Sequence, residues 1–286
     1  MRISKLFFLT IMLLILAGGT VHAESLGLTY NNCGISFGNA PIVHGLRINL
    51  VDRNVEWVDG INVTLWMSMV KHSNPRFELN GLAVGLIAPS VHGLQGGGIG
   101  GFAVAADEIT GVAVAGLGVG TDSMTGIGIG GLGVGGDHLT GLYAGGLGVG
   151  SDRLRGLSIG GLGVGGDDIK GVFIGGLGVG GDRQTGLSIG GLGVGGDHLK
   201  GIYIGGLGVG GNVITGTAIA GLHIRANELR GAYIAPWVHA QHESHGLSIA
   251  VFNFSKELHG CQLGVLNWAG NQTGILKLLP LMNYHR

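Results

Sequence analysis

The sequence predicts an all-β fold of glycine-rich fifteen-residue repeats, arranged as an up-and-down antiparallel meander that closes like a barrel, with a parallel β-solenoid as the alternative. Three observations lead there. A glycine recurs every fifteen residues from Gly96 to Gly246, the segments between are near copies, and their aliphatic residues follow a strand rather than a helix period. Gly171 to Thr185 reads GVFIGGLGVGGDRQT, Gly186 to Lys200 reads GLSIGGLGVGGDHLK, and Gly201 to Thr215 reads GIYIGGLGVGGNVIT. A short repeat cannot bury its apolar face alone, so the architecture follows from how neighbours stack or pair.

The chain opens with a basic start, an apolar run and a small-residue site at Val21-His22-Ala23, the pattern of a secretory signal peptide over residues 1–23. Residues 24–44 read as an irregular lead-in and 45–286 as a single β-repeat domain. Two strand-like segments, Leu46 to Val51 and Val55 to Trp66, precede an interruption from Met67 to Leu79, and regular repeats resume at Gly81.

Within a unit the apolar residues are Ile202, Ile204, Leu207 and Val209. With a β-bulge at Gly205-Gly206 all four lie on one side, opposite Tyr203; without it the apolar side switches halfway along the strand. In a meander each unit is one strand of about eleven residues and a turn; tilted by about 40°, it covers about 28 Å, close to the thickness of a bilayer's hydrocarbon. In a solenoid each unit is one coil with three five-residue sides, GIYIG, GLGVG and GNVIT. The solenoid places glycines at the corners and gives Leu139, Leu154, Ile169 and Leu199 a core position. The meander accounts for the alternation of large and small residues along Tyr143, Ser158, Phe173, Ser188, Tyr203, Ala218, Tyr233 and Ser248 by making thirty residues one hairpin, as does duplication of a thirty-residue gene segment. It also separates Asp107, Asp122, Asp137, Asp152, Asp167, Asp182 and Asp197, which a solenoid stacks at a cost of about 1 kcal/mol per adjacent pair in water-like dielectric. The meander is therefore the preferred reading.

The formal net charge is −1, and −3 once Arg2 and Lys5 leave with the leader, which offers nucleic acid no electrostatic attraction. Repeated Gly-Leu-Gly-Val-Gly runs with no helix after them are structural rather than phosphate-binding. No nucleophile–base or paired-carboxylate arrangement stands out, so no enzyme and no cofactor are expected. The weak metal candidates are the regular aspartates Asp137, Asp152, Asp167, Asp182 and Asp197, as a stacked calcium file, and His239, His242 and His245 with Glu243, which depart from the His-Glu-x-x-His order. Cys33 and Cys261 could form a disulfide in an oxidising compartment. Asn62, Asn253 and Asn271 match the glycosylation acceptor pattern.

Gly45-Leu46-Arg47-Ile48-Asn49-Leu50, Gly246-Leu247-Ser248-Ile249-Ala250-Val251-Phe252-Asn253, Gly260-Cys261-Gln262-Leu263-Gly264-Val265-Leu266-Asn267 and the ending Leu279-Pro280-Leu281-Met282-Asn283-Tyr284 resemble a family of bacterial, spirochaete-type surface-repeat proteins. The central units depart from it: Gly-Gly-Leu-Gly-Val-Gly replaces a strand ending in asparagine. The resemblance implies a secreted or surface location and supplies no catalytic residues. The expected function is a non-enzymatic cell-envelope protein, an outer-membrane barrel with its aliphatic face in lipid. The alternative is a secreted soluble β-solenoid adhesin or scaffold, with the aspartate file as its weak calcium candidate.

Overall fold

A computed structural model describes residues 25–66 and 76–286; the expected signal peptide and most of the Met67–Leu79 interruption lie outside the described residues. The chain runs through β1 (Leu26–Tyr30), β2 (Cys33–Phe37), β3 (Ile42–Asn49), β4 (Trp57–Thr64), β5 (Glu78–Gly85) and β6 (Ser90–Gly100). The regular array continues through β7 (Ala103–Ala115), β8 (Gly118–Gly130), β9 (Gly133–Gly145), β10 (Gly148–Gly160), β11 (Gly163–Gly175) and β12 (Gly178–Gly190). It ends with β13 (Gly193–Gly205), β14 (Gly208–Ala220), β15 (His223–Ile234), β16 (Trp237–Ile249), β17 (Phe252–Ala269) and β18 (Leu278–His285).

Every consecutive pair from β2 to β17 is parallel, and in the regular region each residue lies beside the one fifteen positions on: Val149 beside Val164, Gly156 beside Gly171, Ile189 beside Ile204. Among the described residues antiparallel pairing occurs only at the two ends, β1 with β2 and β17 with β18. The fold is therefore a parallel β-solenoid of fifteen-residue coils, and the expected antiparallel meander and closed barrel are corrected. The outer-membrane location and the membrane partner rested on that barrel, which needs closed antiparallel strands, and they fall with it. Among the described residues no helix is long and apolar enough to cross a membrane.

The corners show why the coil wins over the hairpin. Backbone groups there also reach the preceding coil: Leu147 N donates to the Leu132 carbonyl at 2.6 Å and Gly146 N to that of Gly130 at 3.2 Å. A stack of this kind pairs backbone groups at the corners as well as along the sides. Counting each coil from its leading glycine, that residue turns one corner with positive φ, +139° at Gly171 and +144° at Gly201. The pair at positions 5 and 6 turns another. A Cβ on Gly205 would sit 2.0 Å from the Gly208 carbonyl oxygen, so Gly205-Gly206 is a corner rather than the expected bulge.

Side-chain placement follows from these corners, because each resets the alternation of inward and outward residues. Positions 3, 9 and 14 point inward: Tyr203, Val209 and Ile214 are buried, while Ile202 and Leu207 are 49 % and 55 % exposed. The expectation that all four aliphatics share one side is corrected; only Val209 is in the core. The solenoid's assignment of Leu139, Leu154, Ile169 and Leu199 to the core holds.

The alternation at position 3 has a packing cause rather than a hairpin one. Tyr143, Tyr203 and Tyr233 each lean back along the stack, where the phenol donates to the carbonyl nineteen residues earlier, of Met124, Gln184 or Ile214, at 2.8 Å. A Cβ on Gly128 would lie 2.9 Å from the Tyr143 ring. Each large ring thus fills two levels, and the residue beneath it must be small. Burial pushes the Tyr143 and Tyr203 phenols up to about 12. One core leucine is replaced by Gln184, whose amide donates to the Gly195 carbonyl at 2.6 Å and accepts from Ser188 Oγ at 2.9 Å.

Both ends of the core are polar. At the N-terminal end Arg47 and Asp52, both fully buried, form an ion pair. Arg47 also donates to Asn62 Oδ1 at 2.8 Å and Asn39 Oδ1 at 3.1 Å, and Asn49 donates to Asp52 at 2.7 Å. Burial lowers the Arg47 pKa and the neighbouring Asp52 carboxylate opposes that shift. At the other end Asn253 donates to Asn267 Oδ1 at 2.8 Å, Asn283 to the Asn267 backbone carbonyl at 3.4 Å, and Gln262 to Ser255 Oγ at 3.0 Å, all buried. Asn62 and Asn253 are buried, so neither is an accessible glycosylation acceptor in the folded chain.

Candidate functional site

The interior is occupied, so a ligand must meet the outside of the coils. Three kinds of outer surface exist. Positions 2 and 4 carry aliphatic side chains, positions 8 and 10 carry glycine from Gly118 to Gly210, and positions 12 to 15 carry most of the charge.

The aspartates fall at position 12 in one exposed file, stacked as the solenoid requires. The expected repulsion is tolerable because each coil buries three inward side chains, worth about 1.5–3 kcal/mol each when large and aliphatic, against about 1 kcal/mol per carboxylate pair in water. The file has partners at its ends. His92 Nδ1 lies 2.7 Å from Asp107, and Asn212 donates to Asp197 at 2.8 Å before accepting from Asn227 at 3.2 Å. With its amide nitrogen turned toward Asn227 Oδ1 at 2.6 Å, Gln241 continues this ladder.

The histidines do not converge. His239 packs edge-on to Phe254 at 4.7 Å, His242 is exposed beside the irregularity between Ala240 and Glu243, and His245 stacks on His259 at 4.6 Å. His245 Nε2 lies 3.0 Å from Glu243, a contact that leads the causes holding the Glu243 carboxyl below its usual value. Among the described residues no group of three His, Cys, Asp or Glu side chains is placed to hold a metal ion. Cys33 and Cys261 are both free thiols, in β2 and β17. Fifteen sheet spacings, about 70 Å, lie between those strands, whereas a disulfide needs Cα atoms within about 7 Å.

The structure draws together a set of residues that the sequence reading did not single out. In register with Gly208 and Gly210 the next coil carries His223 and Arg225, and the coils after it carry large rings, one position earlier from their leading glycines. One file runs His223, Trp237, Phe252, with centroid spacings of 5.8 and 6.4 Å. The second runs His239, Phe254, Trp268, and Phe254 and Trp268 stack at 4.1 Å and 4°. Trp237, Phe252, Phe254 and Trp268, with Asn253, Leu266 and Leu278, line an apolar cleft of about 370 Å³. In-register parallel pairing puts like positions about 4.8 Å apart, close enough for rings to stack. The signal in the sequence is the appearance of aromatic residues at spacings of fourteen or fifteen after the glycine runs end.

Burial and then the charge of Arg225 lower the pKa of both His223 and His239. An unfolded histidine titrates near 6.5, so at pH values between the folded and unfolded pKa the unfolded chain binds more protons. Stability contributed by these residues is then complete above about pH 6.5 and lost as pH falls through the folded values. The expected result is a lower melting temperature at pH 5 than at pH 7.5, with a smaller difference in the His223→Phe/His239→Phe variant. An unchanged difference in that variant would count against the assignment.

No family model matches the chain, and no curated protein or solved structure matches it significantly.

Proposed function

We propose that the chain is an exported, non-enzymatic β-solenoid that acts as a scaffold or adhesin through its outer surface. The observation that carries this reading is the division between a filled core and a repetitive exterior. Tyr203, Val209 and Ile214 and their equivalents close the interior, while Leu132, Leu147, Leu162, Leu177 and Leu192 stand about half exposed at the same position of consecutive coils. An in-register stack holds such a surface rigid over many coils, as extended concave or flat binding surfaces require. The export signal at residues 1–23 and the resemblance of the end segments to bacterial surface-repeat proteins support the same reading.

The test is adherence. Beads coated with the purified chain are expected to attach to at least one member of a panel of immobilised matrix proteins and polysaccharides, above beads coated with albumin. Trp237→Ala/Trp268→Ala is expected to reduce that attachment several-fold if the aromatic cleft takes part. Attachment no higher than albumin across the panel would remove the adhesin reading.

A further inference from the structure

The first five positions of each coil form one flat side of the solenoid. From Gly81 to Ala250 these positions carry no Asp, Glu, Lys, Arg or His in twelve consecutive coils. Their outward residues are aliphatic in most coils, as at Val112 and Val114, Ile127 and Ile129, Leu157 and Ile159, Val172 and Ile174, Ile202 and Ile204, and Leu247 and Ile249. Ile129 and Ile159 are each 45 % exposed, although such residues normally seek burial. Nearly all charge lies elsewhere, at positions 12 to 15, so the outside of the rod is amphipathic along its whole regular length.

We propose that this face is a dimerisation surface whose occupant is the same face of a second copy of the chain. The area is right. Twelve coils at about 4.8 Å and a five-residue side of about 16 Å make about 900 Å² per copy, against about 800 Å² per partner in a standard stable interface. The period is right as well. Two copies present rows at the same spacing, so the side chains of one can interdigitate with those of the other over the full length, as in a dry sheet-to-sheet interface. A partner without that spacing falls out of step within a few coils. A face that meets itself around a two-fold axis closes the assembly as a dimer, and the absence of charge means that no ion is stripped of water when the faces meet. The charged sides of both copies then remain in solvent.

The experiment is sedimentation equilibrium of the purified chain over a hundredfold concentration range, with small-angle scattering at the top of that range. The expected result is a dimer whose cross-section is wider than one solenoid and whose length is unchanged. Ile129→Lys/Ile159→Lys/Ile219→Lys places three ammonium groups on the face and is expected to raise the dissociation constant about a hundredfold or more. Thr140→Lys, on the charged side, is expected to leave it unchanged, with circular dichroism confirming that both variants are folded. A chain that is monomeric throughout, a dimer of doubled length, or a dimer that survives the folded triple variant would each overturn the proposal. Should the triple variant fail to fold, the cross-section and length of the unaltered chain still decide it.

Discussion

Gly171→Ala is expected to destabilise the array by about 3–5 kcal/mol, the sum of backbone strain and overpacking. Gly171 has φ +139°, and a Cβ there would lie 2.0 Å from the carbonyl oxygen of Gly156 and 2.9 Å from its carbonyl carbon. Neither obstacle can rotate away, because both belong to the hydrogen-bonded backbone of the neighbouring coil. Stability in a solenoid is close to a sum of coil and nearest-neighbour terms, so the damage should be local: hydrogen exchange is expected to quicken in β10 to β12 first. Gly180 supplies the internal control. It belongs to the same coil, but a Cβ there has nothing within 4 Å. Gly180→Ala is expected to stay within about 0.5 kcal/mol of the unaltered chain. Similar unfolding curves for the two variants would show that the leading glycines do not hold the corners.

Asp52→Leu is expected to cost a similar amount, about 3–5 kcal/mol, by leaving the Arg47 guanidinium buried without its counter-charge. Arg47 is fully buried and its Nε already lacks a partner, so no alternative acceptor stands in reserve on that nitrogen. The Arg47→Leu/Asp52→Leu variant removes both charges and is expected to recover part of the loss, with Asn39, Asn49 and Asn62 keeping it from recovering all. Exchange protection should fall in β3 and β4 and stay unchanged beyond β10. Single and double variants of equal stability would show that the charge pair is not what fixes this end of the core.

Much of the fold is legible in the residues. The leading glycines give the coil length, the Gly-Gly pairs give a corner, and the apolar residue before each leading glycine, such as Leu199 before Lys200-Gly201, belongs inside. What misleads is phase. Read as one strand with a bulge at Gly205-Gly206, Ile202, Ile204, Leu207 and Val209 form the apolar side, with Tyr203 opposite. Corners at positions 5 and 6 restart the alternation, so Tyr203 faces the core and Ile202 faces out. The tyrosine's hydroxyl, which looks like a mark of the surface, finds a carbonyl one level away. The aspartate file misled through magnitude: a repulsion of about 1 kcal/mol per pair is small beside the burial gained per coil.

The candidate site was less legible. His239 reads as a metal ligand in the sequence, yet it packs against Phe254 with Arg225 and His223 nearby, and among the described residues no third donor joins them. Trp237, Phe252, Phe254 and Trp268 are scattered in sequence and become a cleft only once the register between coils is known.

The two-level fit of the large core rings sets a rule for how this chain can change length. Tyr143, Phe173, Tyr203 and Tyr233 occupy every second coil, with Ser158, Ser188 and Ala218 between them. Inserting one coil into this stretch sets two rings against each other or two small residues side by side, a clash or a void. Inserting two preserves the pattern. Lengthening or shortening by recombination is therefore tolerated in steps of thirty residues, although the backbone repeats every fifteen.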